Sequence, residues 1–451
     1  MFRPSLSKKI GLLAKYALLV GIPVLGLLGV LYAGKSLPTP IGNTSVAKIA
    51  NAAPMPNLLL LLAQITIVVM ASRGTGRVFR WIGQPQVVGE MVAGILLGPS
   101  LLGWIAPDFF SILFPAQSLG FLNSISQIGL LIFMFLVGLE LDPGLLRKQG
   151  HTVVVTSHVS IAFPFVLGAL LAYFVFPWLC DPNVPFISFA LFMGAAMSVT
   201  AFPVLARILT ERNLLGTRVG AITLACAAID DVTAWTILAG VMALVRASED
   251  TGRLGLTVVG SALFVSAMFF FVRPMLKRWD DRLAKDGRST YEHLTATLML
   301  LFVSAMITEW LGVHALFGAF LAGAVLPKNT VFVRSLTDKL EDITVVLLLP
   351  LFFAFTGLRT SVGLISGWQM WGICALVIFI ATAGKLGGSA IAARATGMSW
   401  RDAGAIGIFM NTRGLMELII LNVGLDAGVI SPTVFTIMVM MALVTTFMTT
   451  P

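Results

Sequence analysis

Apolar runs about as long as a bilayer is thick recur fourteen times along the chain, and this recurrence limits the fold more than any other feature. They lie near residues 10–33, 57–72, 86–105, 120–141, 153–178, 186–208, 216–246, 254–272, 292–311, 313–327, 343–364, 370–396, 404–427 and 431–450. About 20 apolar residues carry a helix across roughly 30 Å of hydrocarbon. Lipid offers the backbone no partners, so each run must satisfy its own N–H and C=O groups as a helix. The chain therefore reads as an all-α polytopic membrane protein. The runs at 57–72 and 313–327 are the shortest. The first run follows Arg3, Lys8 and Lys9 and reads as a retained helix or a signal peptide, its length favouring the helix. Only 11% of residues are charged, against about 25% in soluble domains, which weighs against soluble enzymes, disordered chains and nucleic-acid binders. Three cysteines and four histidines are scattered without ligand spacing, so neither a resident metal nor another cofactor is expected.

Basic residues fix the expected orientation, because Lys and Arg stay cytoplasmic. With the N-terminus inside, 22 of the 30 fall on the cytoplasmic side, in the loops holding Arg3, Arg73, Arg147, Arg207, Arg273 to Arg288, Lys328 and Arg394. Lys35, Lys48, Arg246, Arg253 and Arg359 fall on the other side. The count returns the C-terminus to the cytoplasm of a cell (inner) membrane and accounts for the net charge of +9 without a nucleic-acid partner. Lys15, Lys385 and Arg413 remain inside spans. Lys15 is close enough to a helix end to snorkel to the interface.

Three pairs of segments match at wide and similar separations. Phe133-Met-Phe-Leu-Val-Gly-Leu-Glu-Leu141 resembles Phe352-Phe-Ala-Phe-Thr-Gly-Leu-Arg-Thr360, Gly194–Ala201 resembles Gly407–Gly414, and Ala93-Gly94 before Pro99 echoes Ala322-Gly323 before Pro327. A duplication over 57–246 and 292–451 follows, separated by a linker helix and loop at 247–291 and preceded by an N-terminal helix (or signal peptide) and linker at 1–56. Each copy holds six spans, and the single intervening helix inverts the second copy. Inverted repeats mark secondary transporters, whose sites lie near the midplane on broken helices. Ser198-Val-Thr200-Ala-Phe-Pro203 and Asn411-Thr412-Arg413-Gly414 occupy matching positions and have the polar, helix-breaking character of such breaks.

Acids inside the membrane call for a partner or a function. Asp230 and Asp231 sit midway along one span, and neighbours diverge by about 100° around a helix, so each needs its own surroundings. Lys385, among small residues in Ala381-Thr-Ala-Gly-Lys-Leu-Gly-Gly388, is the natural partner for one of them. Such a pair either trades protons or is a permanent structural bridge. Arg413 and Glu417, four apart, read as a salt bridge beside a broken helix, and Glu90 as a packing or gating acid.

Together these motifs resemble the second branch of the monovalent cation–proton antiporter superfamily, which includes plant cation/proton exchangers and bacterial sodium and potassium antiporters. The similar stretches are Gly83–Ser100, Phe135–Asp142, Ser198–Arg207, Ile229–Trp235, His314–Phe320 and Asn411–Ile419, spread over residues 57–450. The resemblance implies a thirteen-helix core plus the extra N-terminal helix, and a homodimer in membrane lipid whose protomers move a core domain with crossed broken helices. It further implies Na+ or K+ and protons as substrates, with the cation or protons at the position of Asp231 and, at that of Asp230, a pairing with the lysine matched here by Lys385. The adjacent aspartates resemble electrogenic members that exchange two protons per cation. Plant exchangers with similar flanking sequence more often carry Asn at the first position and are electroneutral, so an electroneutral K+/H+ exchanger is the alternative. No Gly-x-Gly-x-x-Gly nucleotide-binding domain follows the last span. Either such regulation is lacking or the chain is part of a longer one. A cation channel is the rival within transport, but no filter-like loop is visible. Enzymes fare worse: the Gly-x-Gly-Asp of intramembrane aspartyl proteases and the Asp-Asp-x-x-Asp of prenyltransferases are both absent.

Overall fold

A computed structural model describes residues 25–33, 58–140, 150–214, 217–247, 251–278, 290–327 and 331–449. The described residues form helices and connecting turns without a strand. Within the first apolar run only 25–33 is described, as helix, so the choice between signal peptide and retained helix lies outside the described residues.

The first three long helices are α1 (Leu58–Trp81), α2 (Gln86–Leu97) and α3 (Ala116–Glu140). They are followed by α4 (Gly150–Leu179), α5 (Phe186–Ser198), α6 (Phe202–Glu211), α7 (Arg218–Ala247) and α8 (Thr251–Ala267). The second half brings α9 (Thr290–Trp310), α10 (Ala315–Val325), α11 (Val331–Ile343), α12 (Leu349–Leu358) and α13 (Gly367–Thr382). It closes with α14 (Gly388–Ala395), α15 (Trp400–Met410), α16 (Leu415–Asp426) and α17 (Pro432–Thr449).

Among the described residues nine helical stretches are long and apolar enough to cross a membrane, ten with the bent pair α15–α16. The expected fourteen spans are not reached on this measure, because several elements are short. α10, with 11 residues, rises only about 16 Å and cannot cross alone. Two boundaries also differ. The run read as 57–72 continues as helix to Trp81, which puts Arg73, Arg77 and Arg80 on its last turns rather than in a loop. Arginine is a good helix former, and its long stem lets the charge reach water from a helix. α11, rich in Asp338, Lys339, Glu341 and Asp342, precedes the run expected at 343–364 and enters it through a π-turn at 344–348.

Two groups of helices pack most closely within themselves. α4, α5 and α7 pack together, and α4 also lies on α13 and α14, while α15 and α16 join them through α7, α14 and α5. In the other group α2 packs on α1 and α12, and α3 packs on α10 and α12. Helix backbones come into close contact at two reciprocal glycine sites. A Cβ on Gly94 of α2 would run into the Phe353 carbonyl of α12, and one on Gly357 into the backbone of Gly94. Likewise, a Cβ on Gly138 of α3 would strike the Phe320 carbonyl of α10, and one on Gly323 the Phe135 carbonyl.

Candidate functional site

Both expected breaks are present and they meet. α5 stops at Ser198 and α6 begins at Phe202, while α15 stops at Met410 and α16 begins at Leu415 at a 44° bend. Pro203 is the second residue of α6, where a helical N–H has no intrahelical partner and proline costs nothing. The two unwound segments touch backbone to backbone, Ala201 N donating to the Thr412 carbonyl at 3.0 Å. Gly414 makes the second break possible: its φ of 153° lies where side chains are strained, and a Cβ there would sit 3.1 Å from Val204 Cγ2. Ser198, Thr200, Asn411, Thr412 and Arg413 are all buried. The Ser198 and Thr412 hydroxyls turn back to the carbonyls of Ala195 and Phe409.

Arg413 joins the two broken helices. Its Nη1 donates to the Ala196 carbonyl at 3.0 Å and to Glu417 Oε2 at 3.2 Å, and its Nη2 to the Met197 carbonyl at 2.7 Å. The guanidinium therefore caps the negative end of α5, and Glu417 lies in the first turn of α16, where the helix dipole favours an anion. The i,i+4 salt bridge expected from spacing is present, and the cap on α5 is an addition that spacing could not indicate. Thr446 of α17 donates to the Arg413 carbonyl at 2.7 Å.

Beside the crossing lies the buried ion pair. Lys385 Nζ is 2.9 Å from Asp230 Oδ2, and both side chains are fully buried. Asp230 Oδ1 accepts from Ser157 at 2.7 Å, and Oδ2 accepts from Ser160 at 2.7 Å and Thr200 at 3.0 Å. Lys385 also donates to the Ser160 carbonyl at 3.0 Å. One carboxylate thus ties together α4, the break after α5, α7 and the segment carrying Lys385. Those donors matter, because two desolvated charges repay their dehydration only when the remaining lone pairs are also satisfied. Lys385 lies in a π-turn, Ala383–Gly387, between α13 and α14. Such turns insert a residue into the helix and re-aim its side chains, often at functional sites.

Asp231 is buried beside its neighbour, about 100° further round α7. The Lys385 charge lies within electrostatic reach of Asp230, Asp231 and Arg413. Glu90 is not part of this cluster. It lies buried on α2, where Gln86 Nε2 donates to its Oε1 at 2.8 Å.

Two sets of residues escaped the sequence reading. Ser157 and Ser160 sit three apart in an apolar run and look like ordinary packing residues, although paired hydroxyls on one helix face were the available signal. Arg359 also does more than mark a loop. It pairs with Asp426 at 2.6 Å, donates to Asn422 Oδ1 at 3.1 Å, and stacks over Phe355 and Phe435. No three His, Cys, Asp or Glu side chains cluster as a metal site among the described residues.

Residues 65–451 match the family described as "Sodium/hydrogen exchanger, transmembrane". The Na+/H+ antiporter NhaS4 of Synechocystis is 46% identical over 395 residues, covering 87% of this chain and 96% of that protein. Cation/H+ antiporter 17 of Arabidopsis thaliana is 40% identical over 422 residues, covering 93% of this chain and 51% of the other. K+/H+ antiporter 1 of Saccharomyces cerevisiae is 35% identical over 403 residues, covering 87% and 46%. The chain thus spans about half the length of these plant and yeast relatives. The structure of the sodium proton antiporter MjNhaP1 from Methanocaldococcus jannaschii superposes with a TM-score of 0.58 over 87% of this chain and 95% of that one, at 15% identity, a likeness of fold. Crossed broken helices, a buried lysine–aspartate pair and the match over most of the chain point one way: this polytopic membrane protein belongs to the transmembrane sodium/hydrogen exchangers, a family of transporters rather than of catalytic enzymes.

Proposed function

We propose that the protein exchanges Na+ or K+ for protons by alternating access, with Asp231 as the group at which cation and proton compete. The observation that carries this reading is the fully buried Asp230–Lys385 pair at the crossing of two broken helices. Burial makes both members sensitive to the charge beside them. A cation arriving at Asp231 disfavours the ammonium of Lys385, and protons arriving there favour release of the cation. Ser198, Thr200, Pro203, Asn411 and Thr412 form the breaks that present backbone dipoles to the site, and Arg413 with Glu417 anchors them. Glu90 acts as a packing or gating acid at a distance.

Each repeat, 57–246 and 292–451, supplies one broken helix, with 247–291 as the linker that inverts the second copy and 1–56 preceding them. The reciprocal contacts of Gly94 with α12 and Gly323 with α3 support that duplication, as matched positions in the two copies meet matched partners. The protein works as a homodimer in the lipid of the cell membrane, with its basic loops and C-terminus cytoplasmic. Exchange is electrogenic, as the adjacent aspartates imply, and contributes to pH homeostasis.

The test uses everted vesicles carrying the protein. Adding Na+ or K+ is expected to collapse a respiration-generated pH gradient, and Asp231→Asn to abolish the effect. Undiminished cation-dependent proton movement in Asp231→Asn would overturn the assignment.

A further inference from the structure

One helical turn from the Asp230–Lys385 pair, three helices each place a polar side chain with no part in the exchange reading above. Thr156 precedes Ser160 by four residues on α4, Cys226 precedes Asp230 by four on α7, and Ser389 follows Lys385 by four on α14. Residues four apart share a helix face. All three are fully buried. They lie toward the end of the bundle where Val153, Ile222, Ala393, Met398 and Ala403 pack together, beyond which stand Arg218, Arg394 and Arg401.

The register sets two of them at opposing positions of one seam. α4 and the segment 383–395 run antiparallel: Gly384 lies against Pro164, Gly388 against Phe163, Ala392 against Val155 and Val159, and Ala393 with Val153. Lys385 reaches the Ser160 carbonyl across this seam, so one turn further on Ser389 comes opposite Thr156. Cys226 closes the third side, its Sγ 3.6 Å from the Val153 carbonyl.

Hydroxyls buried in helices usually donate to the carbonyl a turn back, as those of Thr223 and Thr445 do here. Thr156 Oγ1 and Ser389 Oγ hydrogen-bond to no described protein group. Leaving a buried hydroxyl without a partner is costly, so two at opposing positions of one seam, a turn from an ammonium, suit a small ligand that both donates and accepts. Lys385 has three N–H donors, of which Asp230 and the Ser160 carbonyl take two.

We propose that Thr156 and Ser389 hold a water that passes protons between the Asp230–Lys385 pair and the basic end of the bundle. The inference rests on the reading of that pair as a proton-trading one. In the releasing step the Lys385 N–H bond breaks as an O–H bond forms on the water, which then yields a different proton to the next water toward the basic end. Lys385 is left neutral, and the held water returns to its starting state. The reverse sequence reloads the lysine.

Purified protein in proteoliposomes, with cation concentration and pH varied, tests the relay. Thr156→Val and Ser389→Ala are each expected to lower the maximal exchange rate about tenfold, as loss of one buried hydrogen bond would. The KM for Na+ or K+ should not change, and the deficit should deepen as pH rises and protons become scarce. Thr156→Ser should restore the rate, and the double variant should be no slower than either single one, because both hydroxyls serve one water. Wild-type rates in both variants at every pH would overturn the proposal. So would a rate loss accompanied by a changed KM that Thr156→Ser does not rescue. Lys385→Ala separates the two levels. A wild-type pH profile in that variant removes the proton-trading reading itself, whereas an altered profile with normal Thr156 and Ser389 variants removes only the relay.

Discussion

At the scale of the residue, the decisive feature is how many donors one carboxylate has gathered. Asp230 accepts from Ser157, Ser160, Thr200 and Lys385, so its charge is compensated by four donors from three elements. Removing one member of a buried pair strands the other, at a cost of about 3–5 kcal/mol. Asp230→Ala and Lys385→Ala should therefore each lower the melting temperature of the solubilised protein markedly. Asp230→Asn combined with Lys385→Met should recover most of the loss, since that variant buries no uncompensated charge. Single variants that melt like the wild type would show that the pair contributes nothing to stability. That Lys385 needs an acid was legible from its place in an apolar run. Spacing alone leaves open which of two adjacent aspartates it takes, because they differ only by a turn of about 100° around one helix. The family resemblance pointed to Asp230, and the Lys385–Asp230 pair is the one the structure forms.

At the scale of the element, both breaks were legible and their closure was not. Thr200, Pro203, Asn411 and Gly414 are residues that interrupt helices, so the interruption could be read directly. The guanidinium cap of Arg413 on the carbonyls of Ala196 and Met197 joins residues more than 200 positions apart, and only the fold brings them together. Gly414→Ala tests the break itself. With φ at 153° the substitution should cost about 1–3 kcal/mol of backbone strain, read as a lower melting temperature together with reduced exchange. The π-turn around Lys385 had no usable signal, since glycine-rich helical segments adopt ordinary α geometry equally well. α11 was missed for a related reason: its charges read as loop until the apolar stretch after Ile343 gives it something to continue into.

At the scale of the whole molecule, two reciprocal glycine contacts tie the halves of the chain together. Gly94→Leu and Gly323→Leu should each destabilise by about 1–3 kcal/mol through forced separation of helix backbones, and by similar amounts if the contacts are equivalent. Gly240→Leu, at a position with open space, should fall within about 0.5 kcal/mol of the wild type. Transport stoichiometry also belongs to this scale. In proteoliposomes with a clamped potential, exchange should speed up or slow down with the sign of the potential, and indifference to it would mark the electroneutral alternative. The sequence by itself determined the solvent, because a chain this poor in charge with recurrent apolar runs has only lipid to fold into. It also determined the list of costly groups, because every acid or base within an apolar run stands out by its price in hydrocarbon. Only the tertiary structure decided how those groups are compensated: Ser157, Ser160 and Thr200 at the Asp230–Lys385 pair, Arg413 at the end of α5, and Arg359 with Asp426. The reason is physical. Burial cost is a property of each residue alone, whereas compensation depends on donors from helices distant in sequence arriving at one point.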